Sequence, residues 1–237
     1  MSFGRAWILV WSLLTVAGTA VTQGPGASQS SSSSSSKHTK GSSARLARDV
    51  DAGTIANGVY RNQALGLSCK VPAGWVLRTE EMNAPEEATD PQMNPAEEKS
   101  SSQGTQRTTE EERGGRVLLA AFSRPPDATG KDVNASIVIA AEKVATYPGL
   151  KGAAQYFGPL TEVAKAQGFT VDEEPYEMEM GTKVVVRGDF HKNVGTRVMR
   201  QSTLAFLAQG YAVSITVIGG TEDDVEELVD GVEFGAK

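Results

Sequence analysis

The order of apolar runs in this chain predicts an α+β fold, with a mostly antiparallel sheet packed by helices. Three observations carry that expectation. Strand-like runs at Lys183–Phe190, Arg197–Leu207 and Tyr211–Ile218 follow one another with only Lys192-Asn193-Val194-Gly195 and Ala208-Gln209-Gly210 between them. Two stretches, 152–167 and 221–231, carry apolar residues at helical spacing. The chain has 1 cysteine, so no internal disulfide is possible and an apolar core must hold the fold.

Taken in order, the folded part begins near Thr54. Gly58-Val59-Tyr60 and Leu65-Gly66-Leu67 through Val71 read as two short strands joined by a turn. Pro72-Ala73-Gly74 ends the second strand, and Trp75 returns an apolar body to the core. Residues 79–114 interrupt the pattern with Pro85, Pro91, Pro95, a serine triplet and many glutamates, the composition of a disordered acidic insertion. Order resumes at Arg116–Phe122, a continuous apolar run expected as a central strand, and at Ser136–Val144.

The stripe Ala153, Phe157, Leu160 and Ala164 predicts a helix over 152–167, which Gly158-Pro159 should kink or split and which Gly168 should end. Phe169-Thr170-Val171 opens the next strand. In Tyr211–Ile218 neither alternating set is strongly polar, so this strand is expected inside the sheet with both faces covered. Thr221 followed by Glu222, Asp223 and Asp224 reads as a helix N-cap with an acidic first turn. Val225, Leu228 and Val229 form the buried side of that helix, and Gly231 is its stop.

The chain's address is written ahead of this domain. Arg5, the apolar stretch around Trp7–Val16 and the small residues Ala17-Gly18-Thr19-Ala20 follow the order of a secretory signal peptide, cleaved after Ala20. A membrane association is expected only if that segment is retained. Residues 21–53 contain a serine run from Ser28 to Ser36 and read as a flexible linker, mildly basic at its far end. The expected location is periplasmic or secreted.

Charge excludes one large class of partner. The net charge is −6, and residues 80–112 alone hold ten acidic residues against Lys99 and Arg107. With no basic stripe to neutralise phosphates, nucleic acid is not an expected partner. Cys69 alternates with Leu67 and Val71 on one strand face, which reads as a buried core thiol rather than a reactive one.

Asn62, Leu65-Gly66, the Pro72-Ala73-Gly74-Trp75 turn and the strand–helix order after it resemble the PsbP-like α/β/α sandwich over about residues 57–235. Bacterial envelope proteins of the DcrB and LpqN type share that fold, as does a nuclear-transport relative. The resemblance implies an accessory or binding protein without a shared catalytic set, and no family site residue maps onto these positions. This chain departs from the pattern in its acidic insertion and in lacking a lipid-attachment cysteine.

Catalytic and metal chemistry are sparsely provided for. His38 lies in the linker, which leaves His191 for the folded domain. Asp189-Phe190-His191 puts two polar groups on one strand face, but a serine on a positioned turn is missing, so an exposed loop histidine is the expectation. One histidine and one cysteine do not make a zinc site, and the acidic insertion lacks the spacing of a calcium loop. Gly219-Gly220-Thr221 precedes a helix, yet the acids behind it would repel phosphate, so it is a cap and not a nucleotide cradle. Asn134-Ala135-Ser136 matches a glycosylation sequon and is given no weight.

The expected role is therefore an exported non-enzymatic binding or accessory protein of the cell envelope, without cofactor. Its expected partner is an envelope protein or a small apolar ligand held in a cleft lined by Trp75, Tyr147, Tyr156 and Phe157. The alternatives are an exported hydrolase built on Asp189 and His191, or an acidic calcium-responsive module.

Overall fold

The structure, a computed structural model, describes residues 50–84 and 115–235. The expected signal peptide, nearly all of the serine-rich linker and most of the acidic insertion lie outside the described residues. Among the described residues no helix is long and apolar enough to cross a membrane.

The chain is an α+β sandwich built on two antiparallel sheets. Strands β1 (Thr54–Ala56), β2 (Val59–Asn62), β3 (Leu67–Lys70) and β12 (Val232–Phe234) form a small sheet in the order β1-β2-β3-β12. The large sheet contains β4 (Val76–Leu77), β5 (Gly115–Phe122), β6 (Ser136–Lys143), β7 (Thr170–Val171), β8 (Tyr176–Met180), β9 (Lys183–Val194), β10 (Arg197–Ala208) and β11 (Tyr211–Gly219). Its order is β4-β5-β6-β11-β10-β9-β7, and β8 also pairs with β9. Among the described residues three α-helices complete the fold: α1 (Thr79–Met82), α2 (Ala153–Ala166) and α3 (Glu222–Asp230).

The large sheet is covered on both faces because its strands offer apolar side chains to both. Toward one face, Ile137, Ile139, Val213, Ile215, Leu204 and Phe206 meet the small sheet through Tyr60, Leu67, Cys69 and Phe234, and meet α3 through Val225, Leu228 and Val229. Toward the other, Val186, Phe190, Ala205, Ala212 and Ile218 meet α2 through Tyr156, Phe157, Leu160 and Ala164. Every residue of β11 is buried, as expected for a strand in the middle of the sheet. Each fully buried large apolar side chain contributes roughly 1.5–3 kcal/mol.

The helix ends follow their sequence signals. Gly168, at φ +84°, is the left-handed residue closing α2, with Gly168 N–H donating to Lys165 O and Phe169 N–H to Ala164 O at 2.9 and 3.0 Å. The side chain of Thr221 accepts from Asp224 N–H, and the Asp224 carboxylate accepts from Thr221 N–H in return, a complete capping box. Gly74, at φ +83°, forms the expected turn, closed by Trp75 N–H donating to Pro72 O.

Several boundaries differ from expectation. Helix α2 is not split at Gly158-Pro159 but runs continuously through Pro159. The residues on either side of the missing N–H, Tyr156, Phe157 and Leu160, are all anchored in one core, which offsets the lost bond. Phe157 lies so close over β9 that a Cβ at Gly188 would be 2.5 Å from its ring. The chain is already engaged before Thr54: Val50 is buried, and Asp51 and Ala52 carbonyls accept from Asn62 Nδ2 and the Tyr60 hydroxyl.

Residues 79–84 also belong to the fold, since Thr79 Oγ1 accepts from Ala120 N–H and Asn83 brackets Val117 through both of its side-chain atoms. Strands β9 and β10 extend into the expected Lys192–Gly195 connection, so their turn is at Gly195-Thr196. Asn134 of the sequon is spent internally, accepting from Ser123 and Arg124 and donating to Arg124 O.

Cys69 is 0% exposed, and burial pushes its thiol up to about 12. An aromatic disulfide reagent should therefore leave the native protein unlabelled at pH 8 and titrate one thiol per chain in denaturant. Rapid labelling of the native protein would contradict this placement.

Candidate functional site

Arg187 is the only charged residue in the run from Val184 to Gly188, of which residues 185–188 are all buried. It is 8% exposed. Burying a guanidinium costs several kcal/mol unless its donors are all met by negative partners, and two carboxylates supply them. Asp189, two residues on and on the same face of β9, accepts from Arg187 Nε with both oxygens at 3.1 and 3.0 Å. Glu226, on α3, takes the two Nη groups in a fork, one of them from Nη1 at 3.1 Å and the other from Nη2 to Oε1. Burial opposes the charge on Arg187, but the Glu226 hydrogen bond and the Asp189 carboxylate outweigh it and raise its pKa above the ordinary guanidinium value. The hydrogen bond from Arg187 in turn holds Glu226 below the usual glutamate range.

This ion triad forms one wall of a cleft of about 400 Å³. Glu222, Val225 and Glu226 of α3 stand on one side. Asp172, Glu173 and Tyr176, from the connection between β7 and β8 and the start of β8, stand on the other. Arg187, Asp189 and Arg200 line it from the sheet. Arg200 lies opposite His191 in the β9–β10 register and opposite Gly219 in the β10–β11 register, which places it beside the entry to α3. Tyr176 is 38% exposed at the rim.

Asp189 and His191 do share one strand face, but the structure does not couple them. Asp189 is held by Arg187, and His191 Nδ1 pairs with Asp172 from the β7–β8 connection. His191 is not a loop residue: it lies within β9 and is about one-third exposed. Ser202 is directly opposite Asp189 on β10, and its hydroxyl is buried without a hydrogen-bond partner. A nucleophile needs both a base and contact with substrate; Ser202 is fully buried and makes no bond to His191.

The four aromatic residues expected around an apolar cleft are divided between the two faces of the sheet. Trp75 packs on the core shared with the small sheet, whereas Tyr147, Tyr156 and Phe157 belong to the α2 side. Tyr147 and Tyr156 meet edge to face at 5.3 Å, and both hydroxyls donate to Glu142 Oε2, that of Tyr156 at 2.8 Å. Burial, and then the Glu142 charge, hold the Tyr156 hydroxyl well above its ordinary pKa. Phe157 stacks parallel to Phe190 in the interior. These rings are spent on packing and on one buried carboxylate.

Arg187, Glu226, Asp172 and Arg200 were not singled out by sequence. One signal pointed to the first: a charged residue among apolar neighbours in a strand requires a partner, and Asp189 is on the same face. Nothing in the spacing joins Arg187 to Glu226 or His191 to Asp172, because the chain between them passes through other elements.

No protein-family model and no curated protein matches this sequence. Solved structures give remote likenesses. PA94 of Pseudomonas aeruginosa, a protein of unknown function, is 19% identical with a TM-score of 0.31, over 42% of this chain and 67% of its own. LpqN of Mycobacterium tuberculosis, involved in cell envelope biogenesis, is 11% identical with a TM-score of 0.32, over 70% of this chain and 76% of its own. A Bacteroides thetaiotaomicron protein is 11% identical with a TM-score of 0.33, over 73% of this chain, which spans 46% of that protein's length. They are too remote to carry a role across.

Truncating Arg187 to Ala should destabilise the protein by about 3 kcal/mol in urea unfolding, the cost of leaving two carboxylates unpaired beside a buried site. Glu226→Gln should cost under about 1 kcal/mol, since Glu226 is 44% exposed. Because the folded pKa of Glu226 is depressed, its contribution is present above the ordinary glutamate range and disappears as pH falls through the folded value. Wild type should accordingly lose its advantage over Glu226→Gln in acid, and an advantage that grew on acidification would contradict the assignment.

Proposed function

We propose that this chain is an exported, non-enzymatic binding protein of the cell envelope, and that the cleft beside α3 takes a small organic cation. The single observation that carries the reading is the charge on the cleft wall: Asp172, Glu173, Asp189, Glu222 and Glu226 face Arg187 and Arg200. Arg187 consumes Asp189 and Glu226, which leaves Glu173 and Glu222 with no ion-pair or hydrogen-bond partner among the described residues.

Three further features favour an organic cation. The volume lies within the roughly 300–1,000 Å³ of small-molecule sites. No group of three or more His, Cys, Asp or Glu among the described residues is arranged to hold a metal ion, so the carboxylates are spread along the wall rather than gathered around a point. The half-exposed ring of Tyr176 offers an aromatic face to a cation at the rim. A polar ligand replaces the apolar one expected from the aromatic residues, because Tyr156 and Phe157 are buried in the core and Trp75 packs on the opposite side of the sheet. Export is supported by the leader-like residues 1–20.

Agmatine, an aliphatic guanidinium amine, is a suitable first probe. Titrated calorimetrically into the purified protein at low ionic strength, it should bind, and the double variant Glu173→Gln/Glu222→Gln should bind it at least about tenfold more weakly. The absence of binding heat at millimolar agmatine, or equal affinity in the double variant, would overturn the reading.

A further inference from the structure

We infer that the ligand of this cleft carries a carboxylate as well as a cationic group, so that the cleft receives an amphoteric, amino-acid-like molecule with a long basic side chain. The inference rests on the cation-binding reading above and adds the second end of the ligand. It follows from Arg200.

Arg200 lines the cleft and has no ion-pair or hydrogen-bond partner among the described residues, although five carboxylates line the same cavity. The other guanidinium, Arg187, is saturated by Asp189 and Glu226, so it has no donor to offer a ligand anion. Arg200 therefore provides the cleft's single uncommitted guanidinium fork among the described residues, the geometry that a carboxylate fits. The helix end beside it does not compete for that carboxylate. Asp224 turns its own carboxylate back onto Gly220 and Thr221 N–H, and Glu222, Asp223 and Asp224 fill the first turn of α3 with negative charge.

The layout separates the two ends of the ligand. Arg200 is on β10, while Asp172, Glu173 and Tyr176 belong to the β7–β8 side, and β9 runs between them. Strands are about 4.8 Å apart, so the two sides are separated by roughly 10 Å. An α-carboxylate at Arg200 then leaves a long basic side chain to extend across β9 toward Glu173 and the Tyr176 ring. A short amino acid would satisfy one end only.

Arginine and agmatine test this directly, since they differ by the carboxylate. Agmatine carries the larger positive charge, so an acidic cleft with no anion locus prefers it. The inference predicts the opposite: wild-type protein should bind arginine at least about tenfold tighter than agmatine. Arg200→Gln should weaken arginine to the level of agmatine and leave agmatine unchanged or slightly tighter, with the far-ultraviolet spectrum and urea midpoint of the variant confirming that it is folded. Glycine should bind far more weakly than arginine. If wild type binds agmatine as tightly as arginine, or if Arg200→Gln weakens both equally, the carboxylate locus is wrong and the cation-binding reading stands. If agmatine gives no binding heat to wild type at millimolar concentration, the reading itself fails and the inference falls with it.

Discussion

A guanidinium buried between a sheet and a helix has to be neutralised from both, and Arg187 is neutralised in that way. Asp189 on its own strand and Glu226 on α3 divide its donors between them. The helix is brought to the sheet by Val225, Leu228 and Val229, a non-directional attraction that many orientations of α3 would satisfy. The Arg187 fork selects one of them, because its geometry fixes where Glu226 must stand relative to β9. The cleft is the space left between the polar side of that fixed helix and the β7–β8 connection, itself pinned to β9 by Asp172. Its shape and its charge have the same origin.

With α2 covering one face of the large sheet and the small sheet and α3 the other, β11 is buried along its whole length and β10 from Gln201 to Phe206. On the α2 side Thr203 pairs with Thr216 across β10 and β11, and the Tyr147 and Tyr156 hydroxyls both donate to Glu142 of β6. Gly188 lets Phe157 approach β9 from the α2 side at the same stretch of strand that presents Arg187 to α3 from the other. One strand thus carries close packing on one face and a charge cluster on the other.

The core strands and both long helices were legible because their signals are local. The turn at Gly74, the left-handed Gly168 and the Thr221 capping box act within a few residues of themselves. Strand β8 is not legible although Tyr-Glu-Met-Glu-Met alternates, since two of its three apolar positions are methionines, outside the β-branched and aromatic strand formers, and they are set among glutamates. Strand β12 has three residues, too few for any period to register. The division into two sheets was not legible either. Val76 and Leu77 lie beyond the Pro72-Ala73-Gly74 turn, and only their pairing with Phe122 and Ala121 assigns them to the large sheet.

For the site, the sequence by itself determined that Asp189 and His191 share a face, that His191 alone could serve the folded domain as a histidine, and that Cys69 is a core residue. Period, count and strand alternation suffice for each of these. Tertiary structure decided the partners. His191 is held by Asp172 and Arg187 by Glu226, pairs that are 19 and 39 residues apart in the chain. It also divided Trp75 from Tyr147, Tyr156 and Phe157, because the face a side chain occupies depends on which strand lies beside it. Strand alternation fixes a residue's orientation relative to its own neighbours. Charge pairing across a cleft depends on how separate elements dock, and that is settled by burial and by the one guanidinium they enclose.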